Sequence, residues 1–138
     1  MEAKASLRYL RITPRKVRVV ADLIRGKNVN AALAQLAYVE KRAAEPLAKL
    51  LRSAVANAEQ SAKDQSLDVD RLTVKELMVD QGPSLRRYMP RAMGRAFKVL
   101  KKTSHVFIVV GDEAPGRKKP AKKARAPQAK GQDSGGHH

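Results

Sequence analysis

The sequence predicts an α+β protein in which three helices pack on a small antiparallel sheet, with a long protruding β-hairpin and a disordered basic C-terminal tail. A length of 138 residues suits one ordinary domain. The apolar residues change from a period of two to helical spacing and back again. Every Leu, Ile, Val and Phe lies before residue 111. We therefore expect a domain over residues 1–112 and a disordered basic tail over residues 113–138.

The first strand and helix follow from alternation and from capping residues. Residues 3–9 alternate between small or apolar and polar side chains, as in a half-buried strand. Thr13 then suits the N-cap of a helix, and Pro14 suits the first helical position. Apolar residues recur at helical spacing up to Ile24, and Gly26 lies where a C-cap glycine belongs. The pattern predicts a helix that buries mostly Val and Ile.

Two more helices are predicted before the chain returns to strands. Asn28 can cap a short second helix, and a third helix runs from about Ala43 to about Lys63, with Pro46 in its first turn. The second helix would bury Leu33, Leu36 and Ala37. The apolar stripe of the third consists of Leu47, Leu50, Leu51, Ala54, Val55 and Ala58.

The later strands show a slip in their alternation. Leu72 and Val74 carry the apolar side first, and Leu77 and Val79 carry it afterwards, which indicates a β-bulge. Residues 99–110 form another β-rich segment. No predicted helix separates the two strands, so we expect antiparallel pairing.

Residues 81–98, between these strands, do not suit an ordinary half-buried hairpin. Gly82-Pro83 and Pro90 interrupt regular pairing. Basic side chains would point to both faces of the extended chain, because Arg87, Arg91 and Arg95 are at odd positions and Arg86 and Lys98 are at even positions. We predict a hairpin arm over about residues 80–100, with about eight residues per limb and a reach on the order of 26 Å.

The charge points to a polyanionic partner, with nucleic acid favoured over an anionic membrane. Lys and Arg total 29 against 13 Asp and Glu, for a net charge of +16. Residues 1–27 carry eight basic and two acidic side chains, and residues 81–110 carry seven and none. No apolar run is long enough to span a membrane, and no secretory signal is visible, so a cytoplasmic protein is expected.

Sites for catalysis or metal binding are not predicted. The absence of cysteine excludes disulfides, thiolate catalysis and Cys-based zinc sites. His105 lies alone among apolar neighbours and is interpreted as a packed strand residue. The acidic residues of the middle segment have no partnering His, Ser or glycine-rich phosphate loop. The terminal His137-His138 pair is interpreted as inert or as a tag remnant. We therefore expect no enzyme, no metal and no cofactor.

Two patterns admit different interpretations. In the first helix, Arg15, Arg18, Asp22 and Arg25 form one stripe, which either contacts phosphates or is a solvated face linked through Asp22. Phosphate contact is favoured because one acid faces three arginines. In the arm, Tyr88, Met89 and Pro90 lie among arginines and suit packing against bases, where the alternative is a disordered loop.

Four separated motifs resemble a known family. They are Arg86-x4-Arg91-Ala92-x-Gly94-Arg95 followed after nine residues by His105-Val106-x-Ile108-x-Val110; Arg11 to Arg18 continuing through Asp22 to Lys27; Ser53-Ala54-x-Ala56-Asn57-Ala58; and Val79-Asp80-x-Gly82-Pro83. Over residues 2–110 the chain is similar to the bacterial type of the large-ribosomal-subunit protein number twenty-two family. The tail lies outside the resemblance.

The resemblance implies a structural constituent of the large ribosomal subunit. Such a protein binds large-subunit ribosomal RNA (rRNA), supports its assembly and lines the polypeptide exit tunnel with its hairpin. Its partners would be rRNA, neighbouring ribosomal proteins and the nascent polypeptide, with no membrane and no homo-oligomer. The alternative from composition is a free basic RNA- or DNA-binding protein of the chaperone or nucleoid type.

Charge and resemblance together define two candidate sets. The predicted rRNA-binding residues are Lys4, Arg8, Arg11, Arg15, Lys16, Arg18, Arg25, Lys27, Arg86, Arg87, Arg91, Arg95, Lys98, Lys101 and Lys102. The resemblance implies a tunnel-lining tip made of Leu85, Arg86, Arg87, Tyr88, Met89, Pro90, Arg91, Ala92, Met93, Gly94 and Arg95.

Overall fold

A computed structural model describes residues 1–62 and 68–112. Within these residues, strand β1 precedes three α-helices and four further strands. The elements are β1 (Glu2–Leu10), α1 (Pro14–Ile24), α2 (Val29–Tyr38), α3 (Ala44–Ser61), β2 (Thr73–Gln81), β3 (Leu85–Pro90), β4 (Ala96–Lys101) and β5 (Ser104–Gly111). Short 3-10 turns occupy residues 69–71 and 92–94. The predicted α+β class is confirmed, whereas the tail prediction falls on residues outside the described ranges.

The sheet of the body is organised around β5. This strand pairs antiparallel with β1 on one side and β2 on the other, in the order β1-β5-β2. The antiparallel pairing of the late strands is therefore confirmed. The segment 99–110 is not continuous, however, because the chain leaves the arm at Lys102–Thr103 and enters the body only with β5.

Helices α1 and α3 cover one face of this sheet, and α2 packs against both of them. Helix α3 packs across β1 and β5, and α1 packs on β2. The predicted stripes of α1 and α3 are buried, apart from the half-buried Val55. Ala37 is exposed, contrary to prediction, because the short α2 buries its other side through Val29, Ala32 and Leu36. Each large apolar side chain buried here stabilises the fold by about 1.5–3 kcal/mol.

The helix ends follow the predicted positions with two differences. Thr13 is the N-cap of α1, but its hydroxyl makes no capping hydrogen bond. Asn28 caps α2 through its side chain, which accepts a hydrogen bond from the Asn30 backbone N–H at 2.9 Å. Gly26 has a φ of 75°, the left-handed conformation that favours glycine at a helix C-terminus. Helix α3 ends at Ser61, short of the predicted end.

Both edge strands are irregular. In β2 the register shifts between Val74 and Glu76, so the predicted bulge is confirmed. In β1 it shifts between Leu7 and Leu10, and Tyr9 has a φ of 57°. The Tyr9 backbone N–H donates to His105 Nδ1 at 3.0 Å, and the two rings meet edge to face. His105 is thus a half-buried strand residue, as predicted.

Strands β3 and β4 form a separate two-stranded sheet, which we call the arm. Six cross-strand pairs connect Leu85–Pro90 with Ala96–Lys101, and every residue of β3 is exposed. The limbs have six residues each and span about 20 Å, less than predicted, because β2 stays in the body sheet as far as Gln81. At the root, the Gly82 N–H donates to the Thr103 carbonyl at 2.9 Å. A Cβ on Gly82 would lie 2.6 Å from the Thr103 hydroxyl, so this close approach requires glycine.

Candidate nucleic-acid interface

The arm presents aromatic and basic side chains on both of its faces. Tyr88 lies directly opposite Lys98, and Met89 lies opposite Phe97 on the other face. Tyr88 is 68% exposed and Phe97 54% exposed. The Arg91 guanidinium lies 5.5 Å from the centre of the Phe97 ring, a cation–π distance. Exposed rings beside cations are the groups that stack on bases and contact phosphates in single-stranded nucleic acid.

Phe97 was not among the candidate site residues. Its place in the sequence, two residues from Arg95 and next to Lys98, is the same signal that marked Tyr88. The turn that joins β3 to β4 is tightly folded. The Arg91 N–H donates to the Arg95 carbonyl at 2.8 Å, and Met93 and Gly94 both have positive φ. Met93 is 92% exposed, so the tip offers an apolar side chain to whatever surrounds it.

A second basic surface lies at the root of the arm, in a concavity of about 860 Å³ that we call the root cleft. It is bounded by the chain entering α1, by the α2–α3 loop and by the end of β4. Its six cationic residues are Arg11, Lys16, Lys41, Arg42, Lys101 and Lys102. In the part of the chain that the structure describes, none of the six forms an ion pair. The root cleft therefore carries uncompensated positive charge.

Lys41 and Arg42 belong to this cleft but not to the predicted set. They lie in a segment, residues 28–64, whose five basic and four acidic side chains nearly balance. The net charge of the segment therefore gave no indication of a basic site. Two adjacent cations between the predicted second and third helices were the only local signal, and the sequence does not show that they lie near the root of the arm.

The three arginines of the α1 stripe make different contacts in the structure. Arg18 donates to the Val79 carbonyl through Nε at 3.2 Å and Nη2 at 2.9 Å. Arg25 donates to the Leu77 carbonyl at 2.8 Å and to Asp22 at 2.6 Å. The Val79 and Leu77 carbonyls belong to β2, an edge strand of the sheet. Arg15, in contrast, has no hydrogen bond or ion pair to any residue within 1–62 or 68–112.

These contacts bear on the two interpretations of the stripe. Asp22 pairs with Arg25, as the solvated-face alternative supposed, but Arg18 turns to the strand instead of to Asp22. The guanidinium groups of Arg18 and Arg25 thereby satisfy carbonyls along an open sheet edge. Arg18 and Arg25, two of the predicted phosphate contacts, thus bind carbonyls of their own chain, whereas Arg15 is exposed to solvent.

The remaining candidates of the body lie in a more mixed environment. Lys4 and Arg8 are exposed on β1, whereas β2 carries Glu76 and Asp80. Lys75 bridges to Glu2 at 3.0 Å, and this pairing lowers the pKa of the Glu2 carboxyl from its ordinary value. Lys27 donates a hydrogen bond to the Gln35 side chain. The outer sheet face therefore balances its charges, unlike the arm and the root cleft.

The described residues contain no group of three or more His, Asp or Glu side chains able to hold a metal ion. None of the helices in residues 1–62 and 68–112 is long and apolar enough to cross a membrane.

Comparison with known proteins identifies the family. The family described as ribosomal protein L22p/L17e matches residues 5–111. The chain belongs to this family. It is 63% identical over 112 residues to large ribosomal subunit protein uL22 of Anaeromyxobacter sp., covering 81% of this chain and 75% of that protein. It is 56% identical to the uL22 proteins of Mesoplasma florum and Pelotomaculum thermopropionicum, covering 98% and 100% of those proteins.

The uL22 family match confirms the resemblance based on the four motifs. It contains β5, both limbs of the arm and the last six of the nine residues of β1. The relatives are named as ribosomal proteins and not as enzymes, in agreement with the expectation of a non-enzymatic chain. The match ends at residue 111, before the predicted tail.

Proposed function

We propose that this protein is a structural constituent of the large subunit of the cytoplasmic ribosome, where it binds rRNA and supports subunit assembly. The observation that carries the proposal is the arm, a solvent-exposed ribbon with basic and aromatic groups on both faces and no acidic residue between 81 and 110. A two-stranded ribbon is marginally stable in water, and its like charges repel. Surrounding RNA phosphates would remove that repulsion.

The predicted rRNA-binding residues take different parts in this proposal. Those of the root cleft and of the limbs β3 and β4 form no ion pair with any described residue and would contact phosphates directly. Arg18 and Arg25 would hold α1 against β2, adding to the RNA attraction mainly through their charge. Family membership supports large-subunit rRNA as the polyanion, in preference to free DNA or RNA.

We further propose that the arm reaches the polypeptide exit tunnel and that its tip, Leu85–Arg95, forms part of the wall. The tip suits that place because it is part of a two-stranded ribbon and exposed at every residue, and it carries both arginines and the apolar Met93. The nascent polypeptide would then be a transient partner. Neighbouring ribosomal proteins would contact the body.

Co-sedimentation with large subunits tests the proposal. The protein should remain with large subunits through a high-salt wash, because a surrounded arm cannot dissociate by exchange of surface counterions alone. A variant without Leu85–Arg95 should be released at lower salt. Release of the intact protein at the salt concentration that removes a free basic protein would contradict ribosomal incorporation and favour the chaperone or nucleoid alternative.

A further inference from the structure

The root cleft combines two features, of which phosphate binding alone needs only the first. That first feature is the set of six cationic residues named above, which we call the rim; none has an ion-pair partner among the residues described. The second feature is its apolar lining, which we call the floor: Val19 of α1 is 58% exposed, Leu100 of β4 is 48% exposed, and Ile12 is half-buried. A surface that met only a phosphate backbone would gain nothing from these exposed apolar groups.

We infer that the root cleft receives an unpaired nucleotide of the bound RNA, with its base on the apolar floor and its flanking phosphates on the cationic rim. The inference rests on the proposed RNA-binding function and names the kind of RNA that this part of the surface takes. It assigns Val19 and Leu100 to base contact, and it adds Lys41 and Arg42 to the phosphate contacts.

The size of the cleft favours an unpaired base over a duplex. About 860 Å³ lies within the range of roughly 300–1,000 Å³ typical of sites that enclose small ligands. A paired helix presents its phosphates outside and its bases stacked inside, so its phosphates would contact the rim while the floor stayed exposed to water. Unpaired bases can turn outward and bury their faces against protein, which is the usual route of specific RNA recognition.

The start of α1 adds to the attraction for a flanking phosphate. Thr13 lines the cleft, and no side chain caps the first turn of this helix. The positive end of the helix dipole is thus open toward the cleft, beside Arg11 and Lys16. This contribution supports the rim and does not distinguish paired from unpaired RNA, a distinction that the floor alone makes.

The test compares two RNA probes with the full-length protein. One probe is an adenosine-rich single strand, and the other is a perfectly paired duplex with the same number of phosphates. The floor variant combines Val19→Ser with Leu100→Ser, and the rim variant is Lys41→Gln. A matched control combines Leu23→Ser with Met78→Ser, which are 39% and 47% exposed and lie outside the cleft and the arm.

Because the floor variant loses apolar burial against the base, we expect it to bind the single strand about fivefold to tenfold more weakly and the duplex within about twofold of the unmodified protein. The rim variant should weaken both probes and reduce the salt slope for the single strand by about 0.7. The control should change neither affinity. Circular dichroism checks folding, and Leu100→Ser alone provides the same comparison if the double variant unfolds.

Two results would overturn the inference in different ways. If the floor variant binds both probes like the unmodified protein while the rim variant weakens both, the cleft holds phosphates only and the proposed function stands. If the unmodified protein fails to bind a large-subunit rRNA transcript, the proposed function fails together with the inference.

Discussion

Replacing Arg18 with alanine should destabilise the body of the protein, although this residue belongs to a basic stripe typical of RNA contact. Its guanidinium donates twice to the Val79 carbonyl, at 3.2 and 2.9 Å, and so holds α1 against the edge strand β2. Hydrogen bonds to charged groups contribute about 1.5–3 kcal/mol. Because both bonds share one acceptor that water can reach after the substitution, we expect a loss of about 1–2 kcal/mol.

Urea denaturation of matched variants measures this loss. Arg18→Ala should lower the midpoint without changing the slope, and its melting temperature should fall by about 4–10 °C. Arg15→Ala is the control, because it removes the same side chain from the same helix without an intrachain bond to lose. Its stability should stay within about 0.5 kcal/mol of the unmodified protein. Arg18→Lys keeps the charge and loses the planar fork, so we expect an intermediate stability.

For RNA binding we expect the opposite order, with the larger effect from the substitution of Arg15. Arg15→Ala should reduce the salt slope of binding by about one phosphate contact, and Arg18→Ala should change it less. If Arg18→Ala unfolds at the urea concentration of the unmodified protein and both variants lose equal RNA affinity, the contact to β2 has no stabilising role. The stripe would then be a uniform phosphate-binding face.

Further predictions concern the arm and one ion pair. Deleting Leu85–Arg95, which removes β3 and the turn, and joining Ser84 to Ala96 should leave cooperative melting intact, because no residue of the arm belongs to the buried core; loss of cooperativity would contradict this. Lys101 lies at the root of the arm, so Lys101→Ala should remove a phosphate contact and weaken rRNA binding by about 1.5–3 kcal/mol. Arg95 lies at the turn, in the proposed tunnel wall, so Arg95→Ala should bind normally and change translation through an arrest peptide; equal binding losses without altered arrest would contradict this difference between root and turn. Glu2→Gln should lower stability slightly at neutral pH, because pairing with Lys75 lowers the pKa of Glu2 below 4.5. Since that stabilisation disappears as the pH falls through the lowered pKa, urea midpoints of the two proteins should converge in acid.

Elements with a strong local signal were predicted most accurately. Pro14 and Gly26 bracket α1 where their backbone preferences require it, and the slip in alternation marked the bulge beside Val74. Less accurate was the length of the arm. Whether residues near Gln81 pair with β5 or with β4 depends on competition between two sheets, and alternation is the same in both.

The sequence by itself determined where the charge lies, which segments have helical or strand periodicity and which family the chain resembles, because each depends on residue order alone. Only the tertiary structure decided what individual cations do. Arg18 reaches a carbonyl 61 positions along the chain, and Lys41 joins Lys101 across one cleft. Such pairings depend on how α1, the α2–α3 loop and the root of the arm pack together. Local pattern cannot distinguish a guanidinium that satisfies its own sheet edge from one left open for phosphate.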